Sequence, residues 1–117
     1  MEYDISGVKD IAGFIGGCLV DIDSGLTLAA EGGGTALDLE AAAAMNADFV
    51  KAKLQTMEAL GLNTVIEDIL ITLGTQIHLI RPLEKNQKIF IYVALDRKDA
   101  NLGRARLQVK QVESALK

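Results

Sequence analysis

The segment from residue 37 to residue 60 has apolar residues around most of a helical circumference. At 100° per residue, its charged side chains fall within an arc of roughly 80–100°. One apolar side consists of Ala42, Met45, Phe49, Ala52, Met57 and Leu60, and a second consists of Ala43, Ala47, Val50 and Leu54. A surface helix buries one stripe against its own core, so the second side is predicted to contact another element, a second subunit or another protein.

Both ends of this helix carry sequence signals. Thr35 and Asp38 have the spacing of a capping box, with aspartate in the position where glutamate is usual. Gly61 stands where a helix commonly ends in a left-handed residue. The sequence therefore predicts one long helix over residues 37–60.

The residues before this helix predict a short helix and a β-hairpin. Asp4 or Ser6 can cap a first helix that runs through Ala12. Phe14–Asp21 is dense in Ile, Leu and Val and predicts a strand. A turn of Asp, Ser and Gly separates it from a second strand, Leu26–Glu31, so the two strands are predicted to pair.

From residue 65 the hydrophobic period changes from the helical value to two. Three strands are predicted, over Val65–Leu73, Gln76–Arg81 and Lys88–Leu95. The third has apolar residues on both faces, which is typical of a strand near the centre of a sheet. The first carries Glu67 and Asp68 at its start, one on each face, which is typical of an edge strand.

A final helix begins after Asp96 or Asp99, and its apolar stripe consists of Leu102, Ala105, Val109, Val112 and Leu116. The order α-β-β-α-β-β-β-α predicts a single α+β domain over residues 1–117. Because the sheet is apolar on both faces, the long helix is expected to cover one face and the terminal helices the other.

This arrangement leaves the second apolar side of the long helix uncovered. A twofold mate can cover it with the same surface, so the sequence predicts a homodimer. The predicted interface residues are Ala43, Ala47, Val50, Leu54, Met57, Glu67, Ile69 and Ile71.

Composition narrows the class of partner. The chain has 117 residues, of which 50% are hydrophobic and 24% charged, with a net charge of −4 and a pI near 4.9. It lacks the basic stripe that binds nucleic acid. No apolar run reaches the ~18–20 residues of a membrane span, and the N-terminus is acidic where a signal peptide is basic. We expect a cytoplasmic protein, and its only cysteine, Cys18, excludes an internal disulfide.

Candidate catalytic and ligand-binding residues are few. Gly32–Thr35 precedes a helix but lacks the lysine and spacing of a phosphate-binding loop, and Gly13–Gly17 lacks dinucleotide-binding spacing. His78 is the only histidine and has no second imidazole or thiol at ligand spacing. Cys18 lies among apolar residues, where thiols pack as small hydrophobes. Asp21 and Asp23 at the predicted hairpin turn resemble the start of a calcium-binding loop, but the glutamate that ends such a loop is missing. We expect no cofactor, no metal and no catalytic residue.

Basic residues cluster around the start of the last helix. Arg97 and Arg104 are candidates for contact with a partner, because an arginine offered to a phosphoryl-transfer site stabilises the charge of its transition state. The favoured alternative is a solvated helix face whose charge is balanced by Asp96, Asp99 and Glu113.

Several segments resemble the roadblock/dynein light-chain family. They are Gly17–Leu26, the alanine-rich helix after it and Ile69–Gly74, while Tyr92–Arg97 and Asp99–Gly103 are similar to the small free-standing bacterial members. The resemblance covers nearly the whole chain. It implies a five-stranded antiparallel sheet between helices, and a dimer whose sheets join edge to edge with the middle helices side by side. It also implies a Ras-like small GTPase as partner and, for members encoded in sets, a sensor kinase.

Three functions are compatible with the sequence. The favoured one is a homodimeric regulator, without catalytic activity of its own, that binds a Ras-like small GTPase and shifts its nucleotide cycle, for example by activating hydrolysis. The second is a dimeric scaffold for a sensor kinase or motor subunit that leaves GTP hydrolysis unchanged. The third is an enzyme or small-molecule sensor, which requires a concave pocket with convergent polar groups.

Overall fold

The computed structural model describes residues 3–116 of the chain. Its elements are a 3-10 helix (Ser6–Asp10), strands β1 (Phe14–Asp21) and β2 (Thr27–Gly32), helix α1 (Leu39–Ala59), strands β3 (Ile69–Thr72), β4 (Gln76–Leu83) and β5 (Asn86–Asp96), and helix α2 (Leu102–Ala115). The predicted order of helices and strands is confirmed.

The five strands form one antiparallel sheet in the order β2-β1-β5-β4-β3. β5 lies at the centre, as its two apolar faces predict, and residues Ile89–Leu95 of this strand are buried. β1 and β2 form the predicted hairpin. The edges of the sheet are therefore β2 and β3.

The edge strand β3 begins at Ile69, whereas the hydrophobic period predicts a strand from residue 65. Glu67 and Asp68 lie in the connection that leads into β3. The Nε–H of Arg106 in α2 donates to Oδ2 of Asp68 over 2.8 Å, which holds this carboxylate against α2. The predicted start of the edge strand at residue 65 is therefore wrong: Glu67 and Asp68 precede β3, and the ion pair holds Asp68 toward α2.

Helices cover both faces of the sheet, as predicted. The core under α1 consists of Cys18, Val20, Ile22, Ala43, Ala47, Val50, Ile80, Phe90, Tyr92 and Ala94. The core under α2 and the 3-10 helix consists of Ile5, Val8, Ile11, Leu19, Leu79, Ile89, Ile91, Val93, Leu95, Ala105 and Val109. Each core is built mainly from alternate residues of the central strands, which is what a sheet that is apolar on both faces requires.

The N-terminal caps of the two α-helices differ from the predicted ones. Oδ1 of Asp38 accepts a hydrogen bond from the N–H of Ala41 at 3.1 Å, so Asp38 itself is the N-cap and the capping box that starts at Thr35 is wrong. In α2 the cap is Asn101, which accepts from the N–H of Arg104 at 3.0 Å, and neither predicted aspartate has this role. In both cases the short side chain directly before the first helical residue has the better geometry.

The C-terminal end of α1 is the predicted one. Gly61 has a φ of 70°, and the N–H of Leu62 donates to the carbonyl of Met57 at 2.9 Å. This is the Schellman arrangement, which needs a left-handed residue and therefore favours glycine. Within residues 3–116, no helix is long and apolar enough to cross a membrane.

Candidate interaction surface

The two apolar sides of α1 are present, but the side that packs on the sheet is the one predicted to meet a second subunit. Ala43, Ala47 and Val50 are 0–1% exposed, and Met57 is 7% exposed. Leu54 packs against the same core. The monomer already covers Ala43, Ala47, Val50 and Met57, so their assignment to the dimer interface is wrong, whereas Leu54 is half-buried and its place in an interface stays a prediction. The physical reason is that alanine side chains allow the helix to approach the sheet closely.

The other side of α1 is exposed to solvent. Met45 is 73% exposed and Phe49 is 45% exposed, and Ala52, which lies beside Met45 on the helical wheel, is also exposed. Large apolar side chains at this exposure, contiguous on one flank, are typical of a surface that another molecule covers. The two apolar sides of the helix are therefore confirmed, but the side predicted to meet a second subunit packs on the sheet, and the other side is exposed.

The direction of this flank follows from a contact on the opposite one. The backbone of Ala44 lies so close to the β1–β2 turn that a Cβ added at Gly25 would be 3.6 Å from its Cα. Ala44 is about 140° from Phe49 around the helix. Because the Ala44 flank faces the β1–β2 hairpin, Phe49 faces the other side of the sheet, where β4 and β3 lie, and Met45 and Ala52 lie next to Phe49 on the solvent side of the helix.

On that side the sheet contributes residues from the same face. Ile71 of β3 is opposite His78 of β4, and Ile69 is opposite Ile80. Ile69, Ile71 and His78 are only half-buried, and β3 is an edge of the sheet. We call Met45, Phe49, Ala52, Ile69, Ile71 and His78 the α1–β3 surface. It combines an exposed helix flank with the edge strand beside it.

The polar group of the α1–β3 surface is His78, and its two ring nitrogens are both engaged. Nε2 lies 2.8 Å from Oε1 of Gln76, which can only accept, so Nε2 carries the proton. Nδ1 then accepts from the hydroxyl of Tyr92 at 3.2 Å. Burial lowers the pKa of His78 below its ordinary value, which favours this neutral form.

The thiol of Cys18 belongs to the core under α1. Cys18 is fully buried, and burial raises the pKa of its thiol to about 12. Burial first and the neighbouring Cys18 second raise the pKa of Tyr92 to about 12. Among residues 3–116, no group of three His, Cys, Asp or Glu side chains could hold a metal ion. The interpretation of Cys18 as a small hydrophobe is confirmed.

The glycine segment before α1 has a structural role. Gly32, Gly33 and Gly34 have φ values of 68°, 82° and 56°, which favour glycine at each position. The N–H of Gly33 donates to the carbonyl of Ile15 at 3.0 Å, and a Cβ at Gly33 would lie 2.9 Å from the side chain of Leu39. This segment is a tight, packed connection that ends five residues before the helix, so its amides do not cradle a phosphate.

The hairpin aspartates form a turn, as the sequence favours. Oδ2 of Asp21 accepts from the hydroxyl of Ser24 at 2.7 Å, and Asp23 pairs with Lys88 at 3.4 Å. Both carboxylates therefore have a partner within the hairpin or the neighbouring strand. Neither is arranged around a cation position.

Arg97 and Arg104 lie in the β5–α2 region and are not brought onto the α1–β3 surface. Nη1 of Arg97 donates to the carbonyl of Leu73 at 3.1 Å, and its N–H donates to the carbonyl of Thr75 at 3.0 Å, so Arg97 fastens the β3–β4 turn. Arg104 is exposed in the first turn of α2. Glu113 was expected to balance this cluster but pairs with Arg81 instead.

The sequence interpretation missed a buried charged cluster on the α2 face of the sheet. The side chains of Arg81, Glu113 and Asp68 are 7%, 10% and 11% exposed. Arg81 donates to Glu113 and lies 4.0 Å from Asp68, which also accepts from Arg106. The signal available in the sequence is an arginine within the otherwise apolar stretch of β4. These contacts join α2 to the segment that leads into β3.

No family model matches the sequence, and no curated protein matches it. Solved structures match its fold. MglB of Myxococcus xanthus has a TM-score of 0.78 at 19% identity, covering 92% of this chain and 83% of that one. A roadblock/LC7 domain from Streptomyces avermitilis has a TM-score of 0.77 at 12% identity, covering 94% and 88%. MglB in a tetrameric arrangement has a TM-score of 0.77 at 18% identity, covering 96% and 81%. These matches show that the chain has the roadblock fold, which confirms the fold resemblance found in the sequence.

Proposed function

We propose that this protein is a homodimeric, non-catalytic regulator that binds a Ras-like small GTPase and changes its nucleotide cycle in a bacterial signalling complex in the cytoplasm. The observation that carries the proposal is an uncovered apolar α1–β3 surface on the roadblock fold. The family that the sequence resembles supplies the expected partner. The tetrameric arrangement of MglB supports self-association of this fold.

The proposed dimer uses the α1–β3 surface twice. A twofold axis beside β3 pairs Ile69–Thr72 with the same residues of a second copy, which extends the sheet across the dimer. It also places the two α1 helices side by side, with Met45 and Phe49 of each covering the other. Ile69 and Ile71 stay in the proposed interface, and Met45, Phe49 and Ala52 replace the residues that the monomer core contains.

The proposed action on the GTPase does not depend on an arginine finger. Arg97 is bound to the β3–β4 turn, and Arg104 is on α2, which covers the sheet face opposite α1. A regulator without a catalytic residue acts by binding one conformation of its partner better than another, and it shifts the nucleotide cycle by that difference in affinity. We therefore nominate no catalytic residue.

The test is single-turnover GTP hydrolysis by a Ras-like GTPase encoded beside this protein, with and without the wild-type chain. Phe49→Asp places a carboxylate in the proposed dimer interface, and Leu107→Asp is the matched control on α2, where Leu107 is 56% exposed. We expect the wild type and L107D to bind the GTPase and change its rate, and F49D to lose the effect.

A GTPase that neither binds nor changes its rate would contradict the proposal. Binding with an unchanged rate would instead favour the scaffold function, in which the dimer holds a sensor kinase or motor subunit. The control variant separates these outcomes from a general effect of added charge.

A further inference from the structure

A cavity of about 280 Å³ lies on the α2 face of the sheet, opposite the α1–β3 surface. Its walls come from three parts of the chain: Tyr3 near the N-terminus, residues 81–89 of the β4–β5 hairpin, and the last two turns of α2. Its volume is just below the range of about 300–1,000 Å³ that is usual for small-molecule sites. The cavity therefore suits a small ligand.

The walls of the cavity are mainly apolar. Leu83, Ile89 and Leu116 supply aliphatic surface, and Tyr3 adds an aromatic ring. The buried ion pair of Arg81 and Glu113 also lines it, but each of these side chains has its partner, and Glu113 accepts in addition from the N–H of Glu84 at 2.6 Å. A ligand that enters the cavity therefore meets apolar walls and a neutralised charge pair.

The charges with no partner lie where the cavity opens to solvent. Lys85 at the hairpin tip and Lys110 of α2 line it, are exposed, and form no ion pair with any of residues 3–116. Glu84 is the one exposed carboxylate among the lining residues. Two ammonium groups against one carboxylate favour an anionic head group. Lys110 lies one helical turn from Glu113 and Ser114, on the cavity side of α2.

From the apolar walls and the excess of ammonium groups we infer that this cavity binds a small amphipathic carboxylate of the medium-chain fatty acid class. The alkyl chain packs against Leu83, Ile89 and Leu116, and the carboxylate lies at the opening beside Lys110. Each methylene that leaves water contributes to binding, and the head group selects anions over neutral or cationic analogues. This site is independent of the proposed GTPase regulator, because it uses the other face of the sheet.

The test is an NMR titration of the full ¹⁵N-labelled chain with sodium octanoate, and with octylamine and octanol as analogues of the same length. We expect a Kd on the order of 0.1–1 mM for octanoate. The amide shifts should cluster at the hairpin and the C-terminal half of α2. Hexanoate should bind about fifteenfold more weakly, because it lacks two methylenes and each lost methylene weakens binding about fourfold.

Lys110→Glu reverses the charge at the opening, and Lys98→Glu makes the same change at an exposed lysine outside the cavity. We expect K110E to weaken octanoate binding at least fivefold and to leave octanol binding unchanged, and K98E to change neither. Shifts scattered over the surface, equal binding of octylamine, or equal affinity of K110E and the wild type would each overturn the inference. Because Lys110 is exposed, K110E should fold, and its NMR spectrum reports this directly.

Discussion

The change Phe49→Asp is the most direct test of the α1–β3 surface as a dimer interface. Phe49 is 45% exposed in the monomer, so roughly 90 Å² of a side chain of about 200 Å² is left for a second subunit to cover. At about 25 cal/mol per Å², this area contributes about 2 kcal/mol per protomer and about 4–5 kcal/mol per twofold dimer. Loss of this contribution raises the dimer Kd about a thousandfold, and the buried carboxylate adds to the effect.

The assay is sedimentation equilibrium over a range of concentrations, with circular dichroism to show that the monomer stays folded. Leu107→Asp is the matched control, since it adds the same charge to an exposed leucine on α2 and should leave the dimer intact. Leu54→Asp is a less direct test than Phe49→Asp, because Leu54 is half-buried against the monomer core and its change also affects the stability of the monomer. A wild-type protein that sediments as a monomer at micromolar concentration, or an F49D dimer of unchanged Kd, would show that the α1–β3 surface is not the dimer interface.

Three further predictions concern the monomer. Burial lowers the pKa of His78 below its ordinary 6.5, so the unfolded chain binds more protons than the folded one at pH values between the two pKa values. The free energy of unfolding should therefore fall as the pH decreases through this window. His78→Gln should remove that dependence, which urea titrations at about pH 7.5 and about pH 5.5 measure. Arg81→Met leaves the Glu113 carboxylate buried without its main partner, so it should lower the free energy of unfolding in urea by about 3 kcal/mol. The double variant with Glu113→Leu should regain most of this loss. If the losses of the two single variants simply add in the double variant, the pairing is contradicted. Ala47→Met overfills the space between α1 and the sheet and should lower the free energy of unfolding by about 1–3 kcal/mol, while Ala52→Met on the exposed flank should leave it almost unchanged. Equal losses of stability in thermal unfolding would contradict the assignment of the two sides.

Elements that depend on neighbouring residues could be predicted from the sequence. The two apolar faces of β5 indicate a central strand, and Gly61 marks the end of α1. Both signals come from residues that are close together in the sequence. Periodicity also predicted five strands, and the family resemblance added that they form one antiparallel sheet. The fold was therefore accessible from local periodicity together with a small number of glycine and capping signals.

Features that depend on distant residues were not accessible in this way. Asp68 was assigned to a strand, but its partner Arg106 is 38 residues away, and Glu113 was assigned to a solvated face, but its partner Arg81 is 32 residues away. An isolated carboxylate or guanidinium in a sequence carries no information about which opposite charge lies next to it. For the same reason the buried charged cluster and the cavity beside it appeared only with the structure.

The side-chain volumes on the two apolar sides of α1 indicate, from the sequence, which side faces the sheet and which is exposed. Both sides are apolar, so periodicity alone does not distinguish them, but one has alanine at residues 43 and 47 and the other has Met45 and Phe49. Ala43 and Ala47 are 0% and 1% exposed where they pack on the sheet, so α1 lies at a short distance from it. Small side chains allow this distance and bulky ones do not, so the side with smaller residues must face the sheet. The larger residues, Met45 and Phe49, are then left on the outside of the monomer. Each of them buries a large apolar area when it is covered, and this favours a second protein chain, and not the monomer's own sheet, as their partner.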